Sequence, residues 1–215
     1  MQLQTTSYLQ QLDKWPEEGR HILAQYDEQC VVVYQAYKPA IGHFAATHGY
    51  FGGEFRLERT SWIKPNFLWM MYRSKWGTSP QQEVVLAISL KRAFFDELLT
   101  QAVHSSYRSD IYPDEAAWYE QLHHSQVVLQ WDPDHAPNGD RLPRRALQLG
   151  LRGNTLARYA KEEIVAIEDI SAFVAEQRAF VQANALAQLQ VPRERVYPAP
   201  TPEVAARLKL DPWTH

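Results

Sequence analysis

Two short runs of apolar residues, CVVVYQAY at 30–37 and EVVLAISLK at 83–91, predict buried strands. A second pattern has period two. In RALQLGLRG, Leu147, Leu149 and Leu151 alternate with Gln148, Gly150 and Arg152, which predicts a strand with one core face and one polar face. QVVLQWD precedes it, and the linking segment PDHAPNGDRLPR carries Asn138-Gly139, so the two runs read as a hairpin with a positive-φ turn. EEIVAIEDI reads as a further strand, and the glycine pair 52–53 leads into an extended FRLERTSWIK.

Helical spacing appears between these runs. Pro39 opens a helix toward Gly49, and RAFFDELLTQAVH repeats Phe94, Leu98 and Leu99 on one face. Pro113 precedes the helical DEAAWYEQL, Asn154 can cap a helix through Tyr159, and Ser171 can cap a long one through SAFVAEQRAFVQANALAQL. The segment RTSWIKPNFLWMMYRSKWG holds three of the seven tryptophans, with Pro65 suited to a first turn and Gly77 to an end. Phe67, Met70, Met71 and Ser74 share one face there, and Trp69, Tyr72, Arg73 and Trp76 the other. If the first face fills the core, the second offers rings and a guanidinium for a planar anionic ligand; if both are buried, the stripe is core.

Strands and helices alternate without a βαβ rhythm, so the expected class is α+β, a mixed or antiparallel central sheet flanked by helices. The 215 residues suit a single globular domain over 1–190, with a proline-rich tail at 191–215 packed on it. The single Cys30 lies in an apolar run and reads as a buried hydrophobe of a reduced compartment. The N-terminus lacks a basic start and an apolar segment, and no run reaches membrane-spanning length, so a cytoplasmic protein is expected.

A net charge of −3 argues against a surface coated in positive potential, but its distribution is uneven. Between 141 and 161 stand Arg141, Arg144, Arg145, Arg152, Arg158 and Lys161, with no acidic residue. That run is either a solvated face or an anion site for the phosphates of a cofactor or nucleic acid. Dinucleotide, P-loop, zinc and nucleophile-elbow signatures are missing, and the spacing of DPDHAPNGD fails as a calcium loop, so no metal is expected.

VVVYQAYKP, WIKPNFLWMMYRSKWG, QWDPDHAPNG and LQLGLRG together resemble the uncharacterised family called domain of unknown function 4291. A second resemblance is to the ADP-ribosyltransferases: VVVYQAYKPAIGHFAATHGYFGG is similar to their first motif, ERTSW to the middle one and KEEIVAIEDI to the glutamate-bearing third. This implies a transferase-like fold that binds NAD and transfers ADP-ribose to a nucleic acid or protein. Glu163 or Glu162 would then be the catalytic acid, and Gln35 would stand where the family has an arginine or histidine. Ser61 would order the nicotinamide pocket, with Trp62 or Tyr37 stacking on the ring. Trp69, Tyr72, Arg73, Gln148 and Arg152 complete the expected nucleotide contacts. The alternative is a non-catalytic nucleic-acid module, with Trp62, Trp69, Trp76 and Tyr72 as stacking platforms and Arg141, Arg144, Arg145, Arg152 and Arg158 on phosphates.

Overall fold

The computed structural model describes residues 2–213. In chain order the first half comprises β1 (Thr5–Ser7), α1 (Tyr8–Leu12), β2 (Gly19–Arg20), β3 (Leu23–Ala24), β4 (Cys30–Tyr37), α2 (Pro39–His48), β5 (Ser61–Ile63), α3 (Phe67–Ser74), β6 (Val84–Lys91) and α4 (Arg92–Gln101). The second half continues with β7 (Val103–His104), α5 (Glu115–His124), β8 (Val127–His135), β9 (Arg141–Leu151), α6 (Gly153–Lys161), β10 (Ile164–Asp169), α7 (Ser171–Gln182), β11 (Gln190–Pro192), β12 (Arg195–Val196) and α8 (Pro202–Leu208). The class is α+β, as the alternation of patterns predicts.

Two sheets organise the chain. One is antiparallel, in the order β10-β6-β4. Its continuous apolar runs are explained by burial on both faces. Val31, Val33, Leu86 and Ile88 enter one core with Leu129, Leu149 and Leu151. Val32, Tyr34, Val85 and Ala87 enter a second core with Phe67, Met70 and Met71 of α3. Each Val, Leu, Ile, Phe or Met among them taken fully from water contributes roughly 1.5–3 kcal/mol.

The other sheet is mixed, in the order β2-β9-β8-β7, and β5 pairs with the C-terminal end of β9. Parallel β2 occupies the other end of the same β9 edge, opposite Arg144 and Arg145. The sheets meet where Tyr34 and Lys64 exchange backbone hydrogen bonds of 2.7 and 3.2 Å. That bridge lays the end of β4 beside β5.

The tryptophan helix α3 begins later than Pro65. Asn66 caps it, its side chain accepting from the Trp69 amide at 2.6 Å. It ends in three successive left-handed residues, Lys75, Trp76 and Gly77. α7 stops at Gln182, short of the expected 189, where Asn184 turns left-handed at φ 52°. The β8–β9 turn carries Gly139 at φ 92°. Toward the C-terminus β11 pairs with β1, β12 pairs with β3, and Glu194, Tyr197 and Leu208 are buried. No helix among the described residues is long and apolar enough to cross a membrane.

Candidate functional site

Tyr37 ends β4 and Ser61 begins β5, so the bridge between the sheets sets them side by side. The Tyr37 hydroxyl and Ser61 Oγ are 2.8 Å apart. Gln35 lies two residues back on the same face of β4, and its Nε2 donates to Ser61 Oγ at 2.9 Å and to the Trp62 carbonyl at 3.1 Å. The Tyr159 hydroxyl of α6 donates to Gln35 Oε1 at 2.6 Å. These partners fix the amide's orientation, because a carbonyl accepts from one end and the phenol's donor meets the other.

Proton counting gives this chain a chemical direction. Ser61 accepts from Gln35, and Ser61 and Tyr37 share one further bond, so one of their two O–H groups remains free to donate. Burial pushes the Tyr37 phenol above its ordinary range, and the hydrogen bond with Ser61 offsets only part of that rise. It stays protonated at neutral pH.

Above these hydroxyls opens a cavity of about 750 Å³. Its lining brings together Tyr37 and Ser61 with Lys38, Glu54, Arg56, Glu58 and Arg59. Lys38 is ion-paired with Glu54. Arg56 and Arg59 have no ion-pair partner among the described residues, and the balance is three cations to two carboxylates. The start of α2 contributes Lys38 and Ile41, so the positive end of a helix dipole also faces this region.

Other residues expected at one site are dispersed. Gln35 does not reach the cavity: it is buried beneath Ser61 and both its amide hydrogens are committed. Glu163 lies on Arg158 at 2.9 Å and Lys91 at 3.2 Å. Glu162 is exposed. Neither acid stands next to Gln35 across the sheet, because β6 intervenes between β10 and β4. The register adds to the separation, with Ile164 opposite Leu90 and Gln35 opposite Leu86. That places the acids more than about 10 Å along the sheet from Gln35.

Trp62 and Gln148 occupy the face of β5 and β9 opposite Ser61, since alternate residues of a strand point to opposite sides. Gln148 donates to Asp132 at 2.7 Å. Trp69 and Trp76 are buried in the protein, whereas Tyr72 and Arg73 are exposed at a different cavity from that of Ser61.

The arginine strip does not form one outward face. Arg144 is buried, bonded to Asp134 at 2.8 Å and to the Pro16 carbonyl at 2.7 Å, with its guanidinium over Trp15. It is therefore not the exposed loop residue that a hairpin tip suggests, because β2 pairs against it. Arg145 reaches the Trp131 carbonyl at 3.3 Å. Arg152 binds the carbonyls of Leu122 and Ser125 at the C-terminal end of α5, where a cation complements the helix dipole. Arg158 holds Glu97 and Glu163, and those hydrogen bonds raise its pKa. Arg141 is exposed.

Lys38, Arg56, Glu58, Arg59 and Tyr159 are the site residues that sequence patterns do not single out. For Arg56, Glu58 and Arg59 the signal is a charged segment, EFRLERTS, following a glycine pair and ending at Ser61. Among the described residues no group of three or more His, Cys, Asp or Glu is placed to hold a metal ion.

Comparison with curated proteins finds no match. A family described as Domain of unknown function (DUF4291) matches residues 21–197, a span that takes in β4, the cleft loop, β5 and Tyr159 and leaves out β1 and α1. The chain belongs to that family of unknown function, DUF4291.

Proposed function

We propose that this protein binds a phosphate-bearing nucleotide in the cleft above Tyr37 and Ser61, with NAD the candidate ligand suggested by the motif resemblance. The observation that carries this reading is the pairing of two unpartnered guanidiniums, Arg56 and Arg59, with a pre-ordered hydroxyl floor that keeps one proton to donate. The guanidiniums suit phosphate oxygens. The free hydroxyl proton suits a carboxamide or ribose oxygen, and its orientation costs little because Gln35 and Tyr159 already hold it.

Transfer of ADP-ribose requires negative charge beside the cation that develops as the nicotinamide–ribose bond breaks. Glu58 is the carboxylate of the lining without a cation partner, and it takes that role in this reading. The test is calorimetric titration with NAD, ADP-ribose and adenosine, together with nicotinamide release. Arg56→Ala and Arg59→Ala should each weaken ADP-ribose binding by about tenfold and flatten its salt dependence. Ser61→Ala should weaken NAD more than adenosine. Absence of binding by both NAD and ADP-ribose at millimolar concentration rejects the reading.

A further inference from the structure

A second cavity, of about 440 Å³, opens between the end of α3, the β8–β9 turn and α7. Its lining contains three cations, Arg73, Lys75 and Arg178, and no carboxylate. Arg178 donates to the Trp76 carbonyl at 3.2 Å. Arg73 and Lys75 are exposed and have no hydrogen-bond or ion-pair partner through their side chains among the described residues. Three positive charges gathered around one concavity without compensation repel each other, and an incoming anion relieves that repulsion.

An aromatic platform stands at the same rim. Tyr72 is 43% exposed, although most large aromatic side chains of α3 are buried. Its ring lies 3.5 Å from that of His135, with the planes 11° apart. Trp69 runs nearly parallel to both, at 5.5 Å from each. The phenol is thus backed by protein rings, and no further ring covers it among the described residues. Burial lowers the pKa of His135, so the imidazole in this stack is neutral at pH 7 and leaves the stacking face uncharged.

The backbone between platform and cations is unusual. Lys75, Trp76 and Gly77 take φ of 50°, 55° and 71° in succession, and the first two carry side chains that rarely adopt such values. This turn sends Trp76 inward, where its indole donates to the Pro137 carbonyl at 3.1 Å. Lys75 is left at the rim beside Arg73.

We infer that this groove is a second binding site, separate from the Ser61 cleft, for a ligand that joins a flat ring to a phosphate, a single nucleotide unit. The ring stacks on Tyr72, and the phosphate lies among Arg73, Lys75 and Arg178. A peptide of carboxylates would use the cations and leave the Tyr72–His135 stack without a role. The nucleotide unit uses both, and the cavity is large enough for it.

The test uses full-length protein carrying Arg56→Ala and Arg59→Ala, which removes the two cations of the other cleft that have no ion-pair partner. 5′-AMP, adenosine, inorganic phosphate and a short acidic peptide are titrated by calorimetry. 5′-AMP should bind, and each of its two halves should bind at least about tenfold more weakly. Joint reversal of Arg73→Glu and Lys75→Glu should cost at least about tenfold, and Tyr72→Ala about fivefold or more. Tyr72→Trp should restore the loss, which a purely structural role for the ring would not produce. These three residues are exposed, and circular dichroism verifies that the variants fold.

A 5′-phosphorylated single-stranded oligonucleotide distinguishes the source of the nucleotide. Tighter binding than 5′-AMP identifies a nucleic-acid end, and equal or weaker binding identifies a free nucleotide. The inference is overturned if 5′-AMP and the oligonucleotide both fail to bind this protein, if binding ignores the Arg73 and Lys75 reversal, or if only the acidic peptide binds. Wild type with the groove residues altered and the first cleft intact reports on the Ser61 site alone, so failure of one site is distinguishable from failure of the other.

Discussion

Lys64 offers a direct measure of what this fold sacrifices at the junction of its sheets. It follows β5, exchanges backbone hydrogen bonds with Tyr34, and is only 7% exposed. Its Nζ has one weak acceptor, the Trp62 carbonyl at 3.4 Å. The nearby carboxylate Asp132 is occupied by Gln130 and Gln148, and Arg73 adds repulsion. Burial therefore lowers the amine's pKa from 10.5 to about 8, with Arg73 contributing in the same direction and Asp132 opposing. At 1.36 kcal/mol per pH unit, the charged amine costs the fold about 3 kcal/mol at pH 7.

The sign follows from proton binding. Between pH 8 and 10.5 the unfolded chain holds a proton at Lys64 that the folded chain has lost, so this group's contribution to stability rises with pH across that window. Lys64→Met keeps the length of the side chain and removes the charge. It should stabilise the protein by about 1–3 kcal/mol at pH 7, and that advantage should shrink toward zero near pH 10.5. Lys64→Arg keeps a charge that cannot be lost, so it should fall further behind wild type as pH rises.

The assay is urea unfolding followed by tryptophan fluorescence at pH 7.5, 8.5 and 9.5, with each variant compared to wild type at the same pH. Differences are needed because burial also raises the phenols of Tyr34, Tyr37, Tyr159 and Tyr197. Those groups lower the stability of every variant as pH climbs past 10. A Lys64→Met effect that is destabilising at pH 7.5, or constant from 7.5 to 9.5, refutes the argument.

Three further outcomes test other parts of the structure. Arg144→Ala leaves Asp134 buried without its partner and should lower unfolding free energy by about 3–5 kcal/mol, read as a reduced urea midpoint. Gly150→Ala places a methyl group 2.9 Å from Thr60 and 3.0 Å from Trp62, so it should cost about 1–3 kcal/mol by thermal unfolding. Glu163→Gln weakens partly exposed ion pairs to Arg158 and Lys91 and should cost at most about 1 kcal/mol, with ADP-ribose binding at the Ser61 cleft unchanged in calorimetry.

Several elements are legible in the chain because their causes are local. The apolar runs of β4 and β6, the hairpin turn at Asn138-Gly139 and the apolar face of α3 depend on side-chain period and turn chemistry within a dozen residues. The limits of the same reading appear at α7, whose pattern extends to 189 while the helix stops at Gln182. Tyr37 and Ser61 were both expected at a ligand site and do line one cavity. The loop that supplies Arg56, Glu58 and Arg59 has no periodicity, so nothing in its spacing marks which charges converge.

The sequence by itself determined the longer strands β4, β6, β8, β9 and β10 and most of the helices, the apolar face of β9, and that aromatic and basic residues are concentrated near α3 and β9. The tertiary structure alone decided which of these residues meet. A strand's alternation specifies its faces but not its neighbours, so only the insertion of β6 between β4 and β10 separates Glu163 from Gln35. Likewise, the pairing of β2 against β9 carries Arg144 inward to Asp134, and a left-handed turn after α3 sends Trp76 into the core while Tyr72 and Arg73 stay at the surface. Contacts of this kind join residues as much as 191 positions apart, and no local pattern encodes them.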